Sequence, residues 1–309
     1  MPFIFAKKLL QLHQKTKAHL ALLATNIFFA INFTAVKFLI NNSYVKPFGL
    51  NLIRVAVTTG LLWIIYLFKQ QRAIIRRTDI FRFILCALTG IAVNQLLFIK
   101  GLSLTYSIHA SLLMLTTPIL ITVIAAFVLK EKLTIYKLIG LALGITGASI
   151  LIMARDHSGN AQSVLLGDVL VIINAVSYTF YFILVRPLMA EYNPVTVIRM
   201  IFTIGFFMML PFCWKEFSAT PWQLYNLKEY ALLALIVVGG TFLAYLFNVF
   251  GIKVLGSSVA GAYIYVQPVF AAAIAMIFLG EPLSLYKIMA ALFIFGGVYL
   301  ATKTITNAK

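Results

Sequence analysis

Ten apolar runs, each close to the roughly twenty residues that an α-helix needs to cross the hydrocarbon of a bilayer, divide this chain. They fall at roughly 18–40, 48–68, 82–100, 107–129, 134–153, 165–187, 194–214, 229–250, 257–279 and 284–303. Few folds accept such a sequence. Backbone amides and carbonyls in lipid must be satisfied within the segment itself, so the runs are expected to be helices and the protein an all-α integral membrane protein. Composition points the same way: apolar residues make up 62% of the chain and charged residues 11%, with a mean hydropathy of +0.99, whereas a soluble domain carries about a quarter of its residues charged.

The runs are not independent of one another. Moved forward by 150 positions, Ser107–Gly147 lies over Ser257–Gly297 without a gap and with 11 identities in 41 positions, among them Ser107/Ser257, Pro118/Pro268, Glu131/Glu281, Lys137/Lys287 and Gly147/Gly297. The register extends backwards through Gly90/Gly240, Leu96/Leu246 and Gly101/Gly251. Self-similarity at a fixed offset marks a duplicated unit, here 18–153 and 165–303 with five runs in each. An odd number of spans forces the second copy to enter the membrane from the opposite face. The expected fold is therefore ten transmembrane helices as two inverted five-helix repeats, related by a pseudo-two-fold axis in the membrane plane, an arrangement from which many secondary transporters are built. Alternating access is the function such symmetry serves.

The formal charge of +17 can suggest a nucleic-acid partner. The positive residues lie mainly in short connections, however, where they orient a membrane protein. With the N-terminus on the cytoplasmic side, that side collects 17 Lys and Arg and the other side 7, with Arg54 left inside a span. Both termini are thus expected in the cytoplasm of a multi-pass inner-membrane protein, with Met1–Lys17 as an amphipathic lead-in and not a cleaved signal. The expected partners are a small-molecule substrate and the lipid bilayer, with no nucleic acid, and a monomer suffices. Cys86 and Cys213 both fall in apolar runs and read as small hydrophobes, so neither a metal nor another cofactor is expected.

Polar side chains inside hydrocarbon are costly and are candidates for a transport pathway, although many only join helices. Asn32 in the first run is one, with Asn26 behind it. Arg54 can grip a substrate carboxylate through its two-pronged guanidinium or snorkel to the headgroups, while Arg199 lies nearer the edge and reads as an interface anchor. Asn94 and Gln95 in the third run answer to Ala244 and Tyr245 in the eighth, with Asn248 one turn on, so amides and a phenol sit at matching depths of the two halves. Thr117 precedes Pro118, where it can instead bond back to a freed carbonyl. Tyr265 and Gln267 precede Pro268. Asn174, Ser177, Tyr178 and Tyr181 share one helical face that should look into the bundle.

Pro118 and Pro268 are expected flex points, and Glu131 and Glu281 gate or end-anchor positions on opposite faces. Asp79, Asp168, Glu191, Glu216 and Glu229 fall in connections or at span ends, which favours export along the substrate's own gradient over coupling through an intramembrane carboxylate. A membrane enzyme would need clustered acids or histidines near one face, and His13, His19, His109 and His157 are dispersed; a channel scaffold is the other alternative.

Several of these residues carry a likeness. The fourth runs, Ala110–Leu133 and Ala260–Leu283, each have a mid-run proline and a terminal glutamate; the first run holds Asn32-Phe33-Thr34-Ala35-Val36-Lys37; and Pro47 with Arg54 is echoed by Pro194 with Arg199. In these the chain resembles the drug/metabolite transporter superfamily, specifically its EamA-domain transporters, over nearly its whole length as two tandem units. It departs at Phe29-Ala30-Ile31, where that family has Trp-Gly-Ser. The resemblance implies a ten-helix transporter, commonly an exporter of amino acids or other small metabolites in a bacterial inner membrane.

Overall fold

The computed structural model describes residues 2–42, 44–68, 75–117, 119–120, 124, 135–153, 163–255, 263–264 and 267–302. Among the described residues the backbone forms ten principal helices. They are α1 (Pro2–Asn41), α2 (Pro47–Phe68), α3 (Arg77–Leu104), α4 (Ser107–Met114), α5 (Ile135–Met153), α6 (Val164–Glu191), α7 (Pro194–Ser218), α8 (227–255), α9 (Gln267–Leu279) and α10 (Leu285–Thr302). Six of them are long and apolar enough to cross a membrane: α2, α3, α6, α7, the 14–41 stretch of α1 and the Leu227–Gly251 stretch of α8.

Local chemistry sets several boundaries. No glycine or internal proline interrupts α1, so the lead-in continues into the first span as one helix of 40 residues. Pro47 and Pro194 open α2 and α7, a position where the missing amide donor costs nothing. Asn193 caps α7 by accepting the Val195 amide at 3.1 Å, and Asn226 with Glu229 forms a capping box at the start of α8.

Packing reveals the two-fold relation. α2 packs on α7, α4 on α9 and α5 on α10, while α1 packs on α8 and α9 and α6 on α3 and α4. Exchanging the first helix of one half for the first of the other, and so on through the fifth, returns the same set of neighbours. The α5–α10 crossing shows the axis in atomic detail. A Cβ on Gly147 would stand 2.9 Å from the Ala290 carbonyl oxygen, and one on Gly297 would stand 2.6 Å from the Gly140 oxygen and 2.7 Å from the Gly144 nitrogen. Ala290 and Gly140 occupy equivalent places in the duplication, as do Gly147 and Gly297. The helices therefore run antiparallel, as inversion requires, and approach so closely that only glycine fits at both crossing points.

The third helix of each half widens at the same place. α3 passes through a π-helical segment, Leu88–Ala92, and α8 through a longer one, Leu235–Leu243; Gly90 and its equivalent Gly240 lie inside them. Such segments shift carbonyls out of the α-helical ladder and are frequent at functional sites. Side chains take up the carbonyls nearby. Ser177 donates to the Thr89 oxygen at 2.8 Å and Thr241 to the Ile236 oxygen at 3.1 Å. Asn174 of α6 donates to the Asn94 oxygen at 2.7 Å and Thr25 of α1 to the Ala244 oxygen at 3.2 Å, and Asn94 and Ala244 are again equivalents.

At the end where α2, α4 and α6 begin, carboxylates of one half clasp helix starts of the other. Glu216, near the end of α7, accepts the Phe48 and Gly49 amides at 2.7 and 3.3 Å. Glu281, between α9 and α10, accepts the Ser107 and Ile108 amides at 2.8 and 3.0 Å. Each places negative charge on the positive end of a helix dipole. Burial pushes the Tyr225 phenol up to about 12, so it stays neutral and donates to the Tyr44 oxygen at 2.5 Å, tying the α7–α8 connection over the same end.

Candidate functional site

The polar groups of the bundle centre gather around the two π segments. Gln95, one residue past Asn94 in α3, donates from Nε2 to the Tyr245 hydroxyl of α8 at 3.2 Å. These residues are 150 positions apart, so equivalent points of the two halves meet at mid-bundle. Tyr245 is ringed by Phe29 of α1 and Phe202 of α7, both edge-on with centroids at 6.2 and 5.1 Å.

On the α8 side of this pair the surroundings are polar. A Cβ on Gly240 would stand 2.7 Å from Oδ1 of Asn32, so α1 can bring that amide against the π segment only because the position is glycine. The next residue, Thr241, accepts from Nε of Arg54 at 3.2 Å. Arg54 is 3% exposed, which excludes snorkelling: protein covers the guanidinium. Arg199, expected as an edge anchor, is equally covered, its guanidinium lying 4.3 Å from the Trp63 ring centroid and 3.5 Å from that of Tyr66.

The α3 side is aromatic and apolar. A Cβ on Gly90 would stand 2.4 Å from the Tyr181 ring, and one on Gly205 of α7 would stand 2.5 Å from Ile91, the equivalent of Thr241. Tyr181 stacks with Tyr178 at 5.6 Å, and Phe182 meets Tyr178 edge-on at 5.0 Å. Of the stripe expected on α6, Asn174 and Ser177 are spent on α3 carbonyls, leaving the two tyrosines half-buried, with Tyr181 against Gly90 of the α3 π segment.

The remaining sequence candidates are distributed as follows. Asn94 and Thr117 are buried, and the Thr117 hydroxyl finds no partner among the described residues. Asn248 and Gln267 are half-buried. Pro268 is buried at the second residue of α9, Glu281 caps α4, and Asn26 bonds within its own helix to the Leu22 oxygen at 2.8 Å. Pro118, Glu131 and Tyr265 lie outside the described residues.

Sequence reading missed two groups. Asn51 and Thr58 flank Arg54 on one face of α2 and are fully buried; the i, i+3, i+7 spacing was available, but both residue types are common in spans. Asp168, placed at a span end, is also fully buried. It accepts from Thr105 Oγ1 and lies 3.0 Å from His109 Nδ1, so this carboxylate at the start of α6 is covered by protein. Lys37 and Lys287 are likewise buried at this end, with ammonium groups donating to the Leu102 and Pro282 oxygens at 3.3 and 2.8 Å. Sequence spacing gives no signal for the Lys37 and Asp168 contacts, because they join segments far apart in the chain.

Comparison with known proteins bears on the fold and the family. A crystal structure of another protein superposes over 90% of this chain and 96% of its own with a TM-score of 0.58 at 18% identity, a likeness of fold alone. Among curated relatives, an uncharacterized transporter of Archaeoglobus fulgidus is 24% identical over 93% of this chain and 98% of its own length, and YetK, an uncharacterized transporter of Bacillus subtilis, is 21% identical over 78% and 73%. A probable terminal-alkyne amino-acid exporter of Streptantibioticus cattleyicolor is 27% identical over 95% and 96%. The family model of EamA-like transporters matches residues 16–153 and again 165–303, two copies that together take in most of the sequence, and the chain belongs to the EamA-like transporter family.

Proposed function

We propose that this transporter exports an amino acid or a related small compound, and that it does so by exchanging the conformations of its two halves around the Gln95–Tyr245 pair. The observation that carries the reading is that pair itself: residues at equivalent points of an inverted duplication, in contact at mid-bundle, each just beyond a π segment. A two-fold placed there makes an inward-open packing and its outward-open counterpart nearly equal in energy, so a modest differential affinity can move the equilibrium. The amino-acid class draws support from the Streptantibioticus relative's name and from amides, phenols and a guanidinium meeting at one depth. Both termini then lie in the cytoplasm of a bacterial inner membrane, which puts the Glu216 and Glu281 caps on the outer side.

Two measurements test this. Untargeted metabolite profiling of the medium from expressing and deleted cells is expected to show at least one amino acid or derivative enriched outside expressing cells. Cysteine pairs across each mouth are expected to trap two distinct closed states. One trappable state only, or a medium that does not change, removes alternating-access export.

A further inference from the structure

The face of α2 formed by Asn51, Arg54 and Thr58 is a buried polar stripe whose hydrogen-bonding atoms are mostly unused among the described residues. The three residues are 0%, 3% and 0% exposed and are spaced to lie one above another on a single helical face. Asn51 Nδ2 and Oδ1, Arg54 Nη1 and Thr58 Oγ1 have no hydrogen-bond partner among the described residues. A guanidinium offers five donors. Here one goes to Thr241, a neutral acceptor whose own proton points to the Ile236 carbonyl. Among the described residues the close acid–base contacts are Arg76 with Glu191 and His109 with Asp168, and neither supplies Arg54 with a negative partner. A buried charge without a counter-charge is strongly unfavourable, so a fold that keeps one fixed beside a transport pathway invites an anion from outside.

We propose that Arg54, with Asn51 and Thr58, receives the carboxylate of the transported compound, and that the apolar portion of that compound lies across Tyr245 toward Tyr178 and Tyr181. This deepens the transporter reading given above and rests on it for the word transported; the anion site stands on the α2 geometry. The chemistry fits one ligand class. A carboxylate has four lone-pair sites, two of which match the guanidinium fork and two an amide and a hydroxyl. Tyr245 lies one turn beyond Thr241, the acceptor of Arg54, and takes the Gln95 amide of α3 on its hydroxyl. The α3 flank brings Ile91 against Gly205 and Tyr181 against Gly90, with Tyr178 stacked on Tyr181 and Phe182 edge-on to Tyr178. The ligand is thus an amphipathic monocarboxylate, with its charged end on the α2–α8 flank and its apolar end on the α3–α6 flank.

The test separates binding from transport. Thermal stability of the purified full-length protein is read with each proteinogenic amino acid, its carboxamide and its decarboxylated amine, together with the matching 2-oxo acids. Stabilisation by one or more acids and not by their carboxamides, with apparent affinity falling about 30-fold or more in Arg54→Gln and in Asn51→Leu, supports the site. Equal stabilisation by acid, carboxamide and amine, or by none of the panel, overturns it. If Arg54→Gln does not fold, Arg54→Lys and Thr58→Val carry the same comparison, because both keep a buried side chain of similar volume. Proteoliposome flux of the stabilising acid then stands apart: an acid that binds through Arg54 but is not carried refutes the transporter reading and leaves the anion site in place. Flux that is indifferent to carboxamide substitution does the reverse.

Discussion

The two flanks of the central pair share a backbone and differ in chemistry. Around α8, Gly240 admits Asn32 and Thr241 accepts from Arg54; around α3, Gly90 admits Tyr181 and Ile91 packs on Gly205. Each flank has a π widening at the same place, a glycine within it and a side-chain donor to the carbonyl that follows, Thr25 in one half and Asn174 in the other. What has diverged is the side chain that enters. The symmetric part is what two interchangeable conformations require, and the asymmetric part is what a ligand with one charged and one apolar end requires. The duplicated backbone thus accounts for movement and the divergent side chains for recognition.

The symmetric part breaks at the α5–α10 crossing. Gly147→Leu and Gly297→Leu each put a side chain against backbone atoms less than 3 Å from where its Cβ must go, and a helix pair cannot give way there without separating. Each is expected to cost about 3 kcal/mol or more and to leave little folded protein in detergent, judged by monodisperse chromatography. Equal losses sharpen the claim of a two-fold axis; tolerance of one and not the other breaks it.

The asymmetric part breaks at Thr241. Thr241→Ile gives the α8 flank the side chain that Ile91 supplies on the α3 flank, and it strips Arg54 of its described acceptor. A hydrogen bond to a charged group is worth about 1.5–3 kcal/mol, so the melting temperature is expected to fall by that equivalent. The converse change, Ile91→Thr, is expected to cost less, since a threonine hydroxyl in a helix can bond back to a carbonyl of the preceding turn. If the two changes cost the same, the flanks are not chemically distinct.

Smaller is the effect expected of Tyr245→Phe. It keeps the ring among Phe29 and Phe202 and removes only the acceptor for Gln95, about 1 kcal/mol of stability. Folding in membranes is expected to persist while export slows. Abundance falling in step with export would make the pair a packing contact.

Much of this is legible in the sequence, and the limits have physical causes. The duplication showed from Gly90 to Gly147 because close helix crossings restrict residue choice at Gly90, Gly101 and Gly147 and at their equivalents. It did not show between α1 and α6, where Thr25 answers to Asn174 and Asn32 to Tyr181: hydrogen bonding to a carbonyl or filling space beside a glycine can be met by unlike residues. The π segments have no sequence mark, since apolar side chains fit a wider turn as well as a tight one. Arg54 was visible as a charge inside a span, but its depth depends on what covers it, and Thr241 and Tyr245 come from the other half. Glu281 could not be matched to the Ser107 and Ile108 amides without knowing that equivalent helices pack antiparallel.

The smallest effect tests the likeness of the flanks most closely. Thr25→Val and Asn174→Leu each remove a donor from equivalent carbonyls, those of Ala244 and Asn94. The two should not cost the same. The Thr25 hydroxyl has one proton and two acceptors, the Ala21 oxygen in its own helix at 2.9 Å and the Ala244 oxygen at 3.2 Å, so the bond across the helices is the weaker share. Asn174 gives its bond at 2.7 Å undivided, although its Oδ1 has no partner among the described residues and its removal returns part of the loss. About 0.5 kcal/mol is expected for Thr25→Val and about 1 kcal/mol for Asn174→Leu, read as shifts in thermal unfolding. A larger cost at Thr25 would mean that the α1–α8 contact carries more of the half-to-half adhesion than α3–α6 does, and the two-fold would then hold in geometry but not in energy.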